Sequence, residues 1–260
     1  MAISGTREWA SKTVNCVTGC SHNCRYCYAR WNAVDRFKRV KREDWITEVV
    51  READVKRLRH KVDGTIMFPT THDISPAILE PCIAVLGKLL SVGNDVLIVS
   101  KPHLPCIKAI CEKFASYKGK ILFRFTIGAL DDAILSFWEP GAPKFAERLD
   151  CLKLAYCSGF KTSVSAEPLL EPWSAVKMYE TLVPFINDAL WIGKLNKPEL
   201  RLKMETDKEQ AMLANLVSWQ KDEEVKKIYE SLKDKPHMKW KESYKAVVGL
   251  KLSDEAGLDE

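Results

Sequence analysis

The feature that most constrains this chain is the run Cys20-Ser-His-Asn-Cys24-Arg-Tyr-Cys27, followed at once by Tyr28-Ala-Arg30. Three thiols at separations of four and three suit a loop wrapped around a metal centre. Thiolates are soft ligands, and a compact set of them favours an iron–sulfur cluster or zinc. Zinc wants a fourth ligand, which Cys16 or His22 could supply. A 4Fe-4S cluster held by three cysteines instead leaves one iron open to chemistry.

Bulk properties set the frame for that loop. A length of 260 residues fits one large domain or two small ones, and 46% hydrophobic with 29% charged residues describes a globular chain with an ample core. No apolar run is long enough to span a bilayer, and Met1-Ala-Ile-Ser-Gly-Thr-Arg-Glu8 lacks the apolar centre of a signal peptide, so a cytoplasmic protein with no membrane partner is expected. In that compartment nine cysteines are reduced thiols and metal ligands, not a disulfide framework. A net charge of +5 permits a nucleic-acid partner without demanding one.

Short β-branched runs alternate with amphipathic segments. Strands are expected at Lys12 to Thr18, Thr65 to Phe68, Asp95 to Ser100, Ile121 to Ile127, Lys161 to Ala166 and Ala189 to Gly193. Helical stretches are expected from about Trp31 to His60, Ala77 to Leu90, after Pro105 through Phe114, up to Gly159, and Ser174 to Phe185. The first of these is basic, with Arg36, Lys38, Arg39, Lys41 and Arg42 ahead of interleaved acids. It reads either as a solvated face or as a phosphate-binding element. Six β/α repeats imply an α/β fold, a partial (β/α)6 barrel open on one side, over residues 1–197. The charged tail, 198–260, is expected to be a helical C-terminal extension packed on the barrel, helical around Asp222 to Leu232. Its Lys239-Trp-Lys-Glu-Ser243 reads as a docking strip, or as part of a cover on the open edge. Chemistry in parallel barrels gathers at the C-terminal ends of strands, and the cysteine loop follows the first one.

Alternation along strands sorts the barrel lumen from the helix side. Arg124 and Thr126 share one face, opposite Phe123, Phe125 and Ile127. Ser163, Ser165 and Glu167 share another, and Ile192, Lys194 and Asn196 align on the sixth strand. Polar faces on buried strands are costly unless they line a wet cavity, bind a ligand or satisfy one another.

Cys-x3-Cys-x-aromatic-Cys, with Tyr26 as the aromatic, resembles the signature of the radical S-adenosylmethionine (SAM) enzymes. Thr18 to Arg30, together with Leu130-Asp-Asp-Ala-Ile134, Glu139-Pro-Gly-Ala-Pro143 and Glu147-Arg-Leu149, is most similar to the spore photoproduct lyase-like branch. The resemblance covers residues from about 12 to 197. It implies a 4Fe-4S cluster on Cys20, Cys24 and Cys27, whose open iron takes the amino and carboxylate groups of SAM. It implies a lyase or base-modifying activity driven by reductive SAM cleavage, with an external one-electron reductant of flavodoxin or ferredoxin type as partner. By the same resemblance Tyr26 packs near adenine, and the loop bearing Thr71, His72 and Asp73 contacts the methionine amino group. Lys101 and Arg124 are candidates for the methionine carboxylate, and Thr126 for ribose or carboxylate. Ser165 shares the expected SAM-binding face, while Glu167 and Asn196 are candidates for ribose, adenine or substrate.

Cys16 sits inside a strand and reads as a packed thiol. Cys82, Cys106, Cys111, Cys151 and Cys157 fall on helical segments and read as small buried hydrophobes. The chain departs from the branch at one position. Where spore photoproduct lyase carries a hydrogen-donating cysteine in a Cys-Thr-Ser-Asp word, this chain reads Thr70-Thr-His-Asp73. Three readings follow: a radical SAM enzyme acting on a nucleic-acid base or nucleotide, but not by standard spore photoproduct repair; one acting on a small molecule or peptide; and a nucleic-acid-binding module with zinc on Cys16, Cys20, Cys24 and Cys27.

Overall fold

A computed structural model describes Ile3 and residues 5–257. Met1, Ala2 and Ser4, part of the stretch read for a leader, and residues 258–260 lie outside the described residues. Nine strands form: β1 Lys12–Thr13, β2 Val17–Thr18, β3 Val49–Val50, β4 Thr65–Met67, β5 Asp95–Ser100, β6 Ile121–Thr126, β7 Lys161–Ala166, β8 Leu190–Ile192 and β9 Met238–Trp240. Seven of them make one parallel sheet in the order β1-β4-β5-β6-β7-β8-β9. The order is that of a barrel wall left open between β1 and β9.

The helices are α1 Tyr28–Arg30, α2 Glu52–Lys56, α3 Leu79–Ser91, α4 Leu104–Lys113, α5 Asp132–Trp138, α6 Phe145–Cys157, α7 Ala175–Leu182, α8 Pro198–Arg201, α9 Asp207–Ser218, α10 Asp222–Leu232 and α11 Glu242–Val248. None is long and apolar enough to cross a membrane. The core lies between strands and helices. Ile66, Val96, Ile98, Phe123, Phe125, Val164 and Ile192 point outward onto Leu86, Leu90, Ile107, Ile110, Cys151, Leu152 and Met178. The opposite parity points inward, where Met67, Leu97, Val99 and Leu122 meet Trp9 and Ala10 from the N-terminal segment. At roughly 1.5–3 kcal/mol for each large apolar side chain removed from water, the outer layer dominates the stability.

Four expectations are corrected. The single strand Lys12 to Thr18 is two short ones, because the chain leaves the sheet after Thr13. Val17–Thr18 then pairs antiparallel with Val49–Val50. The long helix from Trp31 to His60 does not form: a π-helical stretch at Trp31–Arg36, a 3₁₀ turn at Glu43–Ile46, β3 and α2 stand in its place. Lys38, at φ 50°, stops the helical run. The buried Trp45 then holds the segment against the cysteine loop, where its carbonyl accepts from the Cys20 N–H at 2.8 Å. The sixth strand ends at Ile192, which faces outward, so its parity does not extend to Lys194 and Asn196. The tail supplies a strand as well as helices: β9 pairs with β8 and buries Trp240, so the supposed docking strip is partly inside the sheet.

Candidate functional site

A cavity of about 470 Å³ opens at the C-terminal ends of the strands. Thr126 ends β6, Ser165 lies near the end of β7 and Glu167 just past it. Lys101 follows β5, Thr70 to Asp73 follow β4, and Lys194 to Asn196 follow β8; all line the cavity. The cysteine loop forms the facing wall, with Cys20, Cys24, Tyr26, Cys27 and Tyr28 in the lining.

The loop is held from several sides. Gly19 takes φ 89°, and a Cβ there would meet the Thr47 carbonyl at 2.2 Å, so only glycine fits. The buried Arg30 guanidinium reaches back to Asn23 Oδ1 (3.0 Å) and to the Arg25 carbonyl (2.6 Å). The Arg25 N–H donates to the Trp138 carbonyl at 2.8 Å, and the Gly141 N–H to the His22 carbonyl at 3.0 Å. The Glu139-Pro-Gly-Ala-Pro143 segment is thus a brace for the cysteines, a role residue type alone did not disclose.

Asp73 organises the polar wall. Its Oδ1 accepts from Ser100 Oγ (2.9 Å) and the Lys101 N–H (2.7 Å), and its Oδ2 lies 2.8 Å from His22 Nδ1 and 3.8 Å from Lys101 Nζ. Burial alone would raise this carboxyl, but the Lys101 ammonium and His22 together hold it well below the usual carboxylate range. His22 continues to His103, with 2.8 Å between the two Nε2 atoms. His72 lines the cavity yet is occupied by backbone: the Cys16 N–H donates to its Nε2 (3.3 Å), and its Nδ1–H donates to the Asp73 carbonyl (2.9 Å). Tyr26 donates its hydroxyl to Glu139, which forms a fully buried 2.6 Å ion pair with Arg148. The ring is therefore fixed at the cavity wall, with Lys101 Nζ 5.8 Å from its centroid.

Arg124 is not brought to the cavity. It stacks between Trp9 (4.6 Å) and Trp191 (5.1 Å), donates to Ser163 Oγ (2.9 Å) and pairs with Asp188 at 3.1 Å. Trp9, which lines the cavity, covers it. Ser163 belongs to this satisfied network, donating in turn to the Ala189 carbonyl. Asn196 does reach the cavity, with its Nδ2 3.5 Å from Glu167 Oε1. Strand reasoning missed Gly5 to Arg7, Trp9, Asn15 and Arg201, which border or brace the site. Lys241, 3.5 Å from Glu167, was also missed. Such residues come from loops and chain ends, where no periodicity points inward.

The donor set can be tested against a metal group. Burial pushes the Cys20 and Cys24 thiols well up, so bare thiolates are unfavourable here and a cation must accompany their ionisation. Zinc would draw its sulfurs to roughly 3.8 Å of one another, given a Zn–S bond of about 2.3 Å. Among the described residues the three cysteine sulfurs do not form a group within 4.8 Å, so they are not gathered around a single-ion position. Cys20, His22 and Asp73 do lie that close, but as a hydrogen-bonded set. Cys16 is buried in the main core, 4.0 Å from Cys82 Sγ, away from the cavity. Cys157, expected to be buried, is exposed.

Comparison with known proteins agrees with this geometry. The profile of the radical SAM superfamily matches residues 14–174. An uncharacterized protein, ORF301, of Acidianus two-tailed virus is 27% identical over 179 residues, 63% of this chain and 56% of the relative. The chain thus spans a little over half the length of that relative. A spore photoproduct lyase variant with bound AdoMet and dinucleoside spore photoproduct superposes with a TM-score of 0.58 at 14% identity, covering 92% of this chain and 78% of the other. Streptococcus suis SuiB bound to S-adenosylmethionine does so with a TM-score of 0.55 at 12% identity, covering 95% of this chain and 54% of the other. At such identities the two structures speak for the fold. Family membership carries SAM and an iron–sulfur cluster as cofactors. Because the matched stretch takes in well over half the chain and runs from just after β1 through most of the loops around the cavity, the chain belongs to the radical SAM superfamily.

Proposed function

We propose that the chain binds a 4Fe-4S cluster through Cys20, Cys24 and Cys27, and SAM in the adjoining cavity, to abstract hydrogen from a nucleic-acid base or nucleotide. The observation that carries this reading is the convergence of three cysteines and the strand-end polar groups on one cavity. When bound, the cluster and SAM together supply a one-electron cleavage of the sulfonium C–S bond and a hydrogen-abstracting deoxyadenosyl group. The residues supply position and a charged wall. Asp73, ionised and held by His22 and Lys101, would offer a carboxylate to the SAM amino group, and Lys101 a cation to its carboxylate. Thr126, Ser165, Glu167 and Asn196 offer hydroxyl, carboxyl and amide groups for ribose, adenine or substrate. The backbone of Thr71 donates to Asn15 Oδ1, which fixes the loop carrying Asp73. An external flavodoxin- or ferredoxin-type protein would deliver the electron.

A nucleic-acid substrate is supported by the resemblance to the spore photoproduct lyase-like branch, and the net charge of +5 permits it. Thr70 in place of the donor cysteine speaks against standard spore photoproduct repair. A small molecule or peptide is the alternative. The test is anaerobic reconstitution with iron and sulfide, then SAM, reductant and candidate DNA, RNA and nucleosides, read by mass spectrometry. A brown protein forming 5′-deoxyadenosine with a mass change in nucleic acid is expected. A colourless zinc protein would overturn the cluster, and turnover confined to peptides would overturn the substrate class.

A further inference from the structure

The segment Arg36-Phe-Lys-Arg-Val-Lys-Arg42 carries five cations and no acid, and none of the five forms an ion pair with an acid among the described residues. It follows the cysteine loop directly: Tyr28 and Ala29 line the cavity, and Trp31–Arg36 continue from them as a π-helical stretch. Phe37 stands at the end of that stretch, on the order of 10 Å of helical rise from Ala29. Phe37 is 49% exposed, the most exposed Phe, Tyr or Trp among the described residues. Two guanidiniums flank it, Arg36 at 4.9 Å and Arg39 at 4.8 Å from the ring centroid, and Arg36 also lies 6.0 Å from the Trp31 ring.

This arrangement is built, not frayed. Phe37 N–H donates to the Asn32 carbonyl at 2.9 Å, and Arg39 and Val40 both donate to the Ala33 carbonyl, at 2.8 and 3.3 Å. Lys38 takes φ 50°, a left-handed conformation unfavourable to a lysine, and this turn brings Arg39 back over the ring. The neighbouring acid, Asp35, is neutralised by Lys203 at 3.5 Å. That contact also ties the segment to the tail near Arg201, another cavity-lining residue.

We propose that Trp31–Arg42 is a docking surface for single-stranded nucleic acid, with a base stacked on Phe37 and phosphates held by Arg36, Arg39 and the adjoining Lys38, Lys41 and Arg42. Phe37 keeps half its surface open, and the two exposed arginines packed on its ring can swing to phosphates as a base takes the ring face, while the other cations follow the backbone. The surface would hand the strand toward the cavity mouth. This rests on the reading of the cavity as a site for a nucleic-acid base and gives that substrate its form.

The experiment measures binding of a fluorescein-labelled single-stranded oligonucleotide by anisotropy, on the cluster-loaded full chain, across a salt series. Phe37→Ala should weaken binding by about 5- to 100-fold with the salt slope unchanged. Arg36→Gln with Arg39→Gln should weaken it and flatten the log–log slope by about 1.4, at roughly 0.7 per lost phosphate contact. Lys226→Gln with Lys235→Gln, exposed cations in the tail, removes the same charge and should change neither strongly. Equal losses in the two double variants, binding confined to duplex, or an affinity for anionic vesicles or acidic peptide with none for the oligonucleotide would overturn the surface. SAM cleavage without nucleic acid, measured as 5′-deoxyadenosine, should be unaffected in all of these variants. An oligonucleotide bound at Phe37 but never altered would count against the substrate reading alone. A nucleoside altered by a protein that binds no oligonucleotide would overturn the surface alone.

Discussion

Lys241 Nζ lies 2.7 Å from Glu8 Oε1, with both side chains shielded from solvent. The pair ties the N-terminal turn, which borders the cavity, to the residue that follows β9. Glu167 (3.5 Å) and Glu242 (3.8 Å) share the same ammonium, so three carboxyls compete for one cation. Burial, with Glu242 beside it, pushes the Glu8 carboxyl up to about 9, and burial raises Glu167 as well. A carboxyl raised in the folded state holds its proton more tightly there than in the unfolded chain. Its stabilising contribution is complete below the unfolded value, near 4.5, and is lost as pH climbs through about 9. The network's contribution to melting temperature should therefore fall between pH 5 and 9, and Glu8→Gln should flatten that slope. A steeper slope in the variant would refute the assignment. Lys241→Met should cost about 1–3 kcal/mol at neutral pH, where Glu8 holds its proton and loses a hydrogen-bond partner, and more as pH rises and the carboxyl must ionise without a cation.

Alanine at Cys20, Cys24 or Cys27 should abolish iron retention and SAM cleavage after anaerobic reconstitution. Cys16→Ala should keep both, and lose only about 1 kcal/mol for the small cavity left beside Cys82. Iron loss from Cys16→Ala, measured in a protein that still melts cooperatively, would make it a ligand.

For Arg124, the contacts with Asp188, Ser163, Trp9 and Trp191 predict a stability effect in place of a binding effect. Arg124→Ala should lower stability by about 2–4 kcal/mol. SAM affinity of the folded, cluster-loaded variant should stay within about twofold, as titration calorimetry would read. A tenfold loss of affinity at unchanged stability would return Arg124 to the site.

Arg124 also shows what a sequence can and cannot disclose here. Period-two alternation identifies the face of a strand, and Arg124, Thr126 and Ser165 do face inward. It says nothing of depth along the barrel axis, which separates Thr126 in the cavity wall from Arg124 behind Trp9. The cysteines were legible because metal ligation is written in residue type and spacing. The Glu8–Lys241 pair was not, because it joins opposite ends of the chain through a seventh strand of three residues. The irregular course of residues 31–50 was hidden for a related reason. Mixed charge suggested a solvated helix, whereas the buried Trp45 and the Val49–Val50 pairing, both tertiary choices, decided otherwise.

Gly141 connects the Glu139-Pro-Gly-Ala-Pro143 segment to the metal loop. A Cβ at this position would lie 2.2 Å from the Ser21 carbonyl and 3.0 Å from His22 Cα, both backbone atoms that cannot swing aside. Gly141→Ala should push the cysteine loop, cost about 1–3 kcal/mol, and reduce iron loading severalfold while leaving the helical circular dichroism intact. Full iron loading would show that the loop yields without consequence.

Thr70 tests how hydrogen is returned to product. Its hydroxyl accepts from Asn15 Nδ2 at 2.8 Å, its N–H donates to Asn15 Oδ1 at 2.7 Å, and its carbonyl accepts from the Tyr28 hydroxyl, so the residue is anchored in the cavity wall. An aliphatic O–H bond is stronger than the C–H bond it would have to make, whereas a thiol S–H is weaker; threonine cannot replace cysteine as a hydrogen-atom donor. With dinucleotide spore photoproduct, SAM and reductant, the wild type should form 5′-deoxyadenosine slowly and repair nothing. Thr70→Val should behave alike, because only a hydroxyl that gives no hydrogen is lost. Thr70→Cys should gain partial repair, seen by mass spectrometry as thymine dinucleotide, if this loop stands beside the substrate. Efficient repair by the wild type, lost in Thr70→Val, would sink the idea and make Thr70 part of the hydrogen path.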